Sequence, residues 1–329
     1  MSRGTNQKFK LTYLSRIMLE KTDDEHSLTM PQIIAELEKY DVTAERKSIY
    51  QDFQDMEKLG IEIIKEQIGR ETYYHVGARE FELAETKLLI DAIQSSKFIT
   101  QTKSRELIAK IKKFVSEYQA RQLQRQVFIN DRVKNMNESV YYNVDDIYTA
   151  INENKKIRFK YYKWNIEKKL VVRHHGDWFV VSPWSLTWDD ENYYMVAFDD
   201  LDHKIKHYRV DKMMHISVDD DMREGKDIFK NFDMAAYSKA TFVMYSGKRA
   251  KVHIQFPNNM CGVFIDRFGK EISFRKVDDD HSIVAVDVAV SPQFFGWIFS
   301  LGRTVKVVGP EEVVEQMKTA AKEFAENYQ

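Results

Sequence analysis

One cysteine in 329 residues, Cys261, leaves nothing for an internal disulfide to join, which fits a reducing compartment. Proline and glycine are scarce, at 5 and 12, which argues against long low-complexity or linker tracts. No apolar run is long enough to span a membrane. The opening MSRGTNQKFKLTYLSRIML is somewhat basic but lacks an apolar core followed by a small-residue cleavage site, so a cytoplasmic protein is expected. There is no nucleophile elbow, phosphate-binding loop, dinucleotide fingerprint or zinc-type Cys/His cluster. His203 and His207 are four apart but have no third ligand nearby, and His174-His175 is an isolated pair. The acidic runs Asp219–Asp221 and Asp278–Asp280 read as solvated turns, and Cys261 as a packing residue. The expectation is therefore no metal, no cofactor and no enzymatic activity. Net charge is only −1, so global charge says nothing about nucleic acid.

What is present is a 43% hydrophobic, 31% charged chain, long enough for two or three domains. Local charge is uneven. Met1–His75 carries about 11 Lys and Arg against about 14 Asp and Glu, which is unhelpful for a duplex-binding domain. Thr86–Asn135 carries about 11 against about 4, which makes that segment basic.

Periodicity divides the chain further. Lys8–Leu19 has helical spacing, with Leu11, Leu14, Ile17 and Met18 on one face. Thr29 is suited to cap a second helix, with Pro31 in its first turn and Ile33, Ile34 and Leu37 as its apolar face. Thr43 is expected to cap a third helix that reaches Leu59 and stops at Gly60. IEIIKEQIGRETYYHV then reads as a hairpin around Gly69. Three helices and a hairpin predict a winged helix-turn-helix. Helices over Leu83–Lys97 and Lys103–Gln124, with Leu88, Leu89, Ala92, Ile93, Leu107, Ile111 and Phe114 as apolar faces, predict a connecting or dimerising segment, followed by a polar linker over Asn135–Asn143. A helix at DDIYTAINENK then leads into short aromatic and β-branched runs over Lys156–Trp164, Leu170–His174, Trp178–Ser182, Asn192–Phe198 and Ile205–Ile216, which suggest a small barrel-like sheet. From about Arg249 the order is β-α-β-β-α-β with a terminal helix, a ferredoxin-like pattern.

On the third helix, Ile49, Phe53 and Met56 share a narrow arc, and Lys47, Gln51, Gln54 and Lys58 lie opposite. Gln and Lys suit base edges. Ser48 and Tyr50 flank that stripe and suit phosphate, as do backbone N–H groups at the helix start, and Arg46 joins them as a candidate DNA contact. Lys65 and Arg70 lie on the wing, with Arg70 beside Gly69 placed to enter a minor groove, and Arg3, Lys8 and Lys10 are candidate arm contacts. The bland alternative is a merely solvated polar face. The run RKSIYQDFQDMEKLGIEI resembles the recognition helix of regulators that carry WYL domains, which read Arg-Thr-Ile-X-Arg-Asp-Ile and end Leu-X-X-X-Gly-hydrophobic. Arg46, Ile49, Asp52, Leu59 or its neighbour, and Gly60 match, while Gln51 stands where that family usually has Arg.

The segment SPWSLTWDDENYYMVAFDDLDHKIKHYRVDKM is similar to the WYL domain itself. Pro183 matches, Tyr193-Tyr194-Met195 replaces Trp-Tyr-Leu, and Lys206 to Met213 follows the downstream Arg-X-Phe-Arg-hydrophobic-Asp-Arg-hydrophobic pattern, with Lys for the first and last Arg. QFFGWIFSLGRTVKVVGPEEVVEQM resembles the C-terminal extension of that family, with Trp297, Gly302 and Pro310 in place. The resemblance implies a domain that binds nucleotides or nucleic acid as effectors. Alternation puts Tyr193 and Met195 on one strand face with Tyr194 on the other, and His207, Arg209 and Asp211 on one face while Tyr208 and Val210 pack. Tyr194, Lys206, His207 and Arg209 form the candidate effector site, with Arg303 as a more distant addition. The competing reading pairs Arg209 with Asp211 and leaves Tyr194 as a sheet residue.

These observations predict an α+β multidomain chain. Residues 1–80 form the winged helix-turn-helix, 81–143 the helical linker, 144–230 an Sm/SH3-like WYL barrel that senses the effector, and 240–329 the ferredoxin-like extension. The expected function is a homodimeric transcriptional regulator that binds double-stranded DNA, controlled by a small anionic effector, a nucleotide or a single-stranded nucleic acid. The alternative is a nucleic-acid-sensing accessory protein of a defence or repair system with no operator of its own, which the acidic balance of Met1–His75 favours.

Overall fold

Where apolar residues recur every three to four positions the chain coils, and where they alternate it extends. The computed structural model describes residues 5–123, 134–230, 233–242, 244–245 and 247–328. It is a mixed α+β structure with several sheets, divided into two units, Met1–Met136 and Asn137–Gln329.

In the first unit, α1 (Lys10–Lys21) buries Leu14, Ile17 and Met18. A short strand β1 (Leu28–Thr29) leads into α2 (Met30–Glu38). Thr29 caps α2 reciprocally with Gln32: its backbone N–H donates to Gln32 Oε1 at 2.7 Å, and its side chain receives the Gln32 backbone N–H. Next comes α3 (Arg46–Lys58), whose N-cap is Glu45 and not the expected Thr43. Val42 is buried and the Thr43 amide donates to Gln7 Oε1 at 3.2 Å, which ties residues 42–43 down before the helix begins. Gly60, at φ 85°, ends it. Its N–H donates to Glu57 O at 3.0 Å and that of Ile61 to Met56 O at 2.9 Å, satisfying two carbonyls of the last turn. The strands β2 (Ile63–Ile68) and β3 (Glu71–Val76) close over Gly69-Arg70, and β1 pairs with β3, giving the order β1-β3-β2. Leu14, Ile33, Leu37, Ile49 and Met56 make the shared core.

Three helices follow, α4 (Leu83–Ser95), α5 (Gln101–Ile111) and α6 (Glu117–Gln122). The single helix expected over Lys103–Gln124 is broken. A 3-10 turn at Lys112–Phe114 ends in extended, buried Val115, and Ser116 restarts the chain by accepting the Gln119 N–H at 3.1 Å. The expected apolar face of α4 is also wrong. Leu88 is 70% exposed and Leu89 is exposed, whereas Ile90 is buried in a small cluster with Val115 and Leu123.

In the second unit, α7 (Val140–Asn152) starts inside the expected polar linker. Asn137 and Asn143 are buried because their amides are used: Asn143 Nδ2 donates to Met213 O at 2.8 Å, and Asn137 Nδ2 to Asp211 O and Met213 O, both at 3.3 Å. Six strands follow: β4 (Lys155–Trp164), β5 (Leu170–Val172), β6 (Phe179–Asp189), β7 (Asn192–Asp199), β8 (Lys204–Arg209) and β9 (Met213–Met222). Their order is β5-β4-β6-β7-β8, with β9 also on β4, a half-barrel. The continuous run expected over Ile205–Ile216 is two strands, because a 3-10 turn at Val210–Lys212 drives Val210 and Met213 into the core.

Short helices α8 (Lys226–Phe229) and α9 (Met234–Ala240) lead to β10 (Lys248–Pro257), α10 (Cys261–Phe268), β11 (Phe274–Lys276), β12 (His281–Val290), α11 (Pro292–Ser300), β13 (Lys306–Gly309) and α12 (Glu311–Glu326). The sheet is antiparallel throughout, in the order β11-β12-β10-β13. Val252, Ile254 and Phe256 of β10 meet Phe264 and Phe294 beneath it, and Cys261 packs against this core. No described helix is long and apolar enough to cross a membrane.

Candidate nucleic-acid interface and effector cavity

On α3 the buried stripe is Ile49, Phe53 and Met56, and the opposite stripe of Lys47, Gln51, Gln54 and Lys58 is exposed. Lys47 and Gln54 have no ion pair or side-chain hydrogen bond among the described residues. Lys58 pairs with Asp55 at 2.8 Å, and Gln51 also bonds to that carboxylate, which holds Asp55 below its ordinary range, Lys58 being the larger influence. Arg46 is exposed, and its Nε donates to Tyr50 Oη at 3.0 Å. Tyr50 Oη lies 2.9 Å from Tyr74 Oη, whose ring is buried and whose phenol is pushed up to about 12, first by burial. Tyr50 is thus fixed by a hydrogen-bonded chain rather than free, and Ser48 is turned to the Glu45 carbonyl at 2.9 Å. Lys65 and Arg70 are exposed on the hairpin, Arg70 at its tip. Among the arm residues, Lys8 lies over the Phe9 ring, Lys10 pairs with Asp52 at 2.7 Å, and Arg3 lies outside the described residues.

The half-barrel holds a cavity of 580 Å³, within the range of small-ligand sites. Tyr194, Lys206, His207 and Arg209 all line it, and so do Tyr161, Arg173 and Tyr208, which the sequence did not single out as ligand residues. Sheet register explains the convergence. Tyr194 lies directly opposite Arg209, and Val196 opposite His207, so one face of β7–β8 carries Tyr194, His207 and Arg209. Arg303 is exposed after Gly302 and is not among the lining residues.

The cations in this cavity differ sharply. Arg209 clamps Asp211, from Nε and Nη2 at 3.0 Å each, and Nη2 also donates to Asn192 Oδ1 at 2.8 Å. The 3-10 turn brings Asp211 back for this, the pairing that the competing reading expected. Burial opposes the charge on Arg209, but the Asp211 carboxylate outweighs it and raises the guanidinium above its usual value. Lys206 is bonded to Asp199 at 2.8 Å and also to Asp202. Burial would raise the Asp199 carboxyl, but Lys206 and the Leu201 and Asp202 amides hold it below its ordinary range. His207 is not a cation near neutrality. Burial lowers it to about 4, and its Nε2 sits 2.9 Å from Tyr237 Oη. Burial pushes the Tyr194 phenol up to about 12 against the pull of Arg209. Arg173 is exposed, contacts the Tyr161 ring at 5.7 Å, and has no carboxylate partner among the described residues. Its signal was a lone cation ending the β-run LVVR, which periodicity alone does not distinguish from a turn residue.

Residues 142–218 match the family described as the WYL domain, and residues 248–325 the one described as the WCX domain. A WYL domain is therefore present, and its bounds enclose most of the half-barrel and most of the cavity lining. No curated protein matches the sequence. Among solved structures, similarity extends to the proteasome accessory factor B/C (PafBC) of Arthrobacter aurescens, at 16% identity and a TM-score of 0.28, covering 94% of this chain and 46% of that one. It extends also to a CRISPR Cas-related protein, at 12% identity and a TM-score of 0.36, covering 90% of this chain and 77% of that one. The chain thus spans about half the length of the first of these.

Proposed function

We propose that this chain is a non-enzymatic transcriptional regulator in which residues 1–80 act as a winged helix-turn-helix on double-stranded DNA and the WYL domain senses an anionic effector, a nucleotide or single-stranded nucleic acid. The observation that carries this reading is the presence of two separate polar surfaces of the right chemistry. One is the exposed Lys47, Gln51, Gln54 stripe over a fully packed helix face. The other is a ligand-sized cavity lined by aromatics and cations in a WYL domain.

Within the cavity, Arg173 is the first grip on phosphate, since no described carboxylate compensates its charge, and Tyr161 and Tyr194 offer rings to a base. Arg209 is held in place by Asp211 and Asn192, so an effector phosphate competes with the Asp211 carboxylate for it. Control of DNA affinity requires the effector to favour one arrangement of the reading domains over another. A homodimer supplies the two half-sites that such a reader needs, and exposed Leu88 and Leu89 on α4 offer it an apolar face.

Footprinting on the DNA upstream of its own gene tests the reader, and light scattering at micromolar concentration tests the dimer. A protected site with two half-sites about one helical turn apart supports both. Uniform, sequence-independent protection by a monomer would instead favour the accessory-protein reading, which the acidic balance of the first 75 residues suggests.

A further inference from the structure

The outer face of the half-barrel carries a second cluster of cations and aromatics. Along β4, Ile157 and Phe159 point into the core, and Arg158 and Lys160 point the other way. Register sets Arg158 between Ser217 of β9 and Val180 of β6, and Lys160 beside Met214 of β9. Trp178, one residue before β6, comes next to Lys160 on the same face. Arg158 Cζ lies 4.8 Å and Lys160 Nζ 5.2 Å from the Trp178 ring centroid, and the indole is 45% exposed. Neither cation has an ion pair among the described residues, and no carboxylate occupies these two cross-strand rows.

Two like charges converging on one exposed indole repel each other, and packing needs neither of them. An anion relieves the repulsion, and the exposed part of the indole can take an aromatic partner. A ligand carrying phosphates together with unpaired bases meets both demands. Duplex DNA meets only the first, because its bases are stacked inside the helix. Farther along β4, Trp164 is 41% exposed with Lys212 Nζ 5.3 Å from its centroid. It shares the alternation of Arg158 and Lys160 and lies four residues past Lys160, about 13 Å at the usual strand rise. A second ring at that spacing suits an extended strand rather than a mononucleotide.

We propose that this outer face, distinct from the cavity, binds a single strand of nucleic acid, with Trp178 stacking a base and Arg158 and Lys160 holding phosphates.

The test is fluorescence anisotropy of the full chain with a labelled oligothymidylate of about 12 nucleotides, inside the ~4–16-nucleotide range of single-strand sites. Trp178→Ala should weaken binding about tenfold, the scale of one lost base stack, and Trp178→Phe should recover most of it. Arg158→Ala with Lys160→Ala should lower the slope of log affinity against log salt by about 1.4, the value for two phosphates of a single strand. Loss of binding in Trp178→Ala but not in Arg173→Glu places the strand on this face even if the cavity takes another ligand. Loss in Arg173→Glu with Trp178→Ala unchanged overturns the proposal and leaves the cavity reading standing. A parent protein that ignores the oligonucleotide, or a duplex that competes for it equally well, also overturns it.

Discussion

Lys47 and Gln54 stand on α3 with their apolar counterparts packed beneath and no polar side chain among the described residues holding them, whereas Arg209, Lys206 and His207 in the half-barrel are each tied to at least one neighbour. Lys47 and Gln54 were legible as one face of a helix, and His207 and Arg209 as one face of a strand. The difference lies in what surrounds them. A helix face that must follow a groove gains from side chains free to adjust. A sensing cavity gains from groups whose partners an entering anion can displace, because that competition converts binding into rearrangement. The contrast predicts that substitutions in the cavity act on stability and substitutions on α3 act on recognition.

The largest expected effect is on stability. Asp211 is buried and holds both Arg209 and Lys212, so Asp211→Ala leaves Arg209 without its carboxylate and should cost about 3 kcal/mol. Lys47→Ala should change stability by no more than about 0.5 kcal/mol. All five tryptophans lie in Asn137–Gln329, so urea unfolding followed by tryptophan fluorescence reads the Asp211→Ala loss in that unit directly. Equal, small effects from both substitutions would erase the contrast.

Next is a dependence on pH. His207 stays neutral in the fold down to about 4 but protonates in the unfolded chain near its ordinary 6.5. The unfolded state therefore binds the extra proton between these values. The stabilisation is fully present above pH 6.5 and is lost as pH falls toward 4, about 3 kcal/mol at most. Asp199, held below the ordinary carboxylate range, loses its contribution only at lower pH. His207→Gln should flatten the stability profile between pH 6.5 and 4, and an unchanged slope would show that His207 does not carry it.

Smaller effects sharpen the other side. Gln51→Ala should relax base preference at one position by about 1–3 kcal/mol, read by competition with single-base operator variants, with unfolding unchanged. Preference that survives intact would leave the α3 stripe as solvated surface. Smallest is Thr29→Ala, which removes the side-chain half of the α2 cap and should cost about 1 kcal/mol in thermal unfolding of the first unit, followed by far-UV circular dichroism. No shift would mean that water replaces the cap.

Much of the chain could be read from local pattern. Periodicity placed α1, α2, the hairpin at Gly69 and the strands and helices after Arg249, because each is set by its own apolar spacing and caps. Errors arose where tertiary contacts decide. Thr43 has the chemistry of a cap, but the burial of Val42 and the Gln7 contact displace the helix start to Glu45. Asn137 and Asn143 look like linker residues until the carbonyls of Asp211 and Met213 call for their amides. Leu88 and Leu89 match helical spacing as well as Ile90 does, and only the position of Val115 decides which is buried. In the cavity, alternation brought Tyr194, His207 and Arg209 together, but it could not show that Asp211 folds back onto Arg209 or that Arg173 arrives from just past the end of β5.

The proposed function turns on an anion in the WYL cavity controlling duplex binding through α3. The affinity of the full chain for its own upstream DNA, measured with and without thymidine 5′-monophosphate as effector probe in the parent and in Arg173→Glu, reads this control without engaging the outer face. Under such control the probe shifts the parent's affinity by about 5-fold or more, the low end of typical coupling, while Arg173→Glu binds DNA as the unliganded parent does and no longer responds. A parent that binds both the DNA and the probe with neither affecting the other would contradict it.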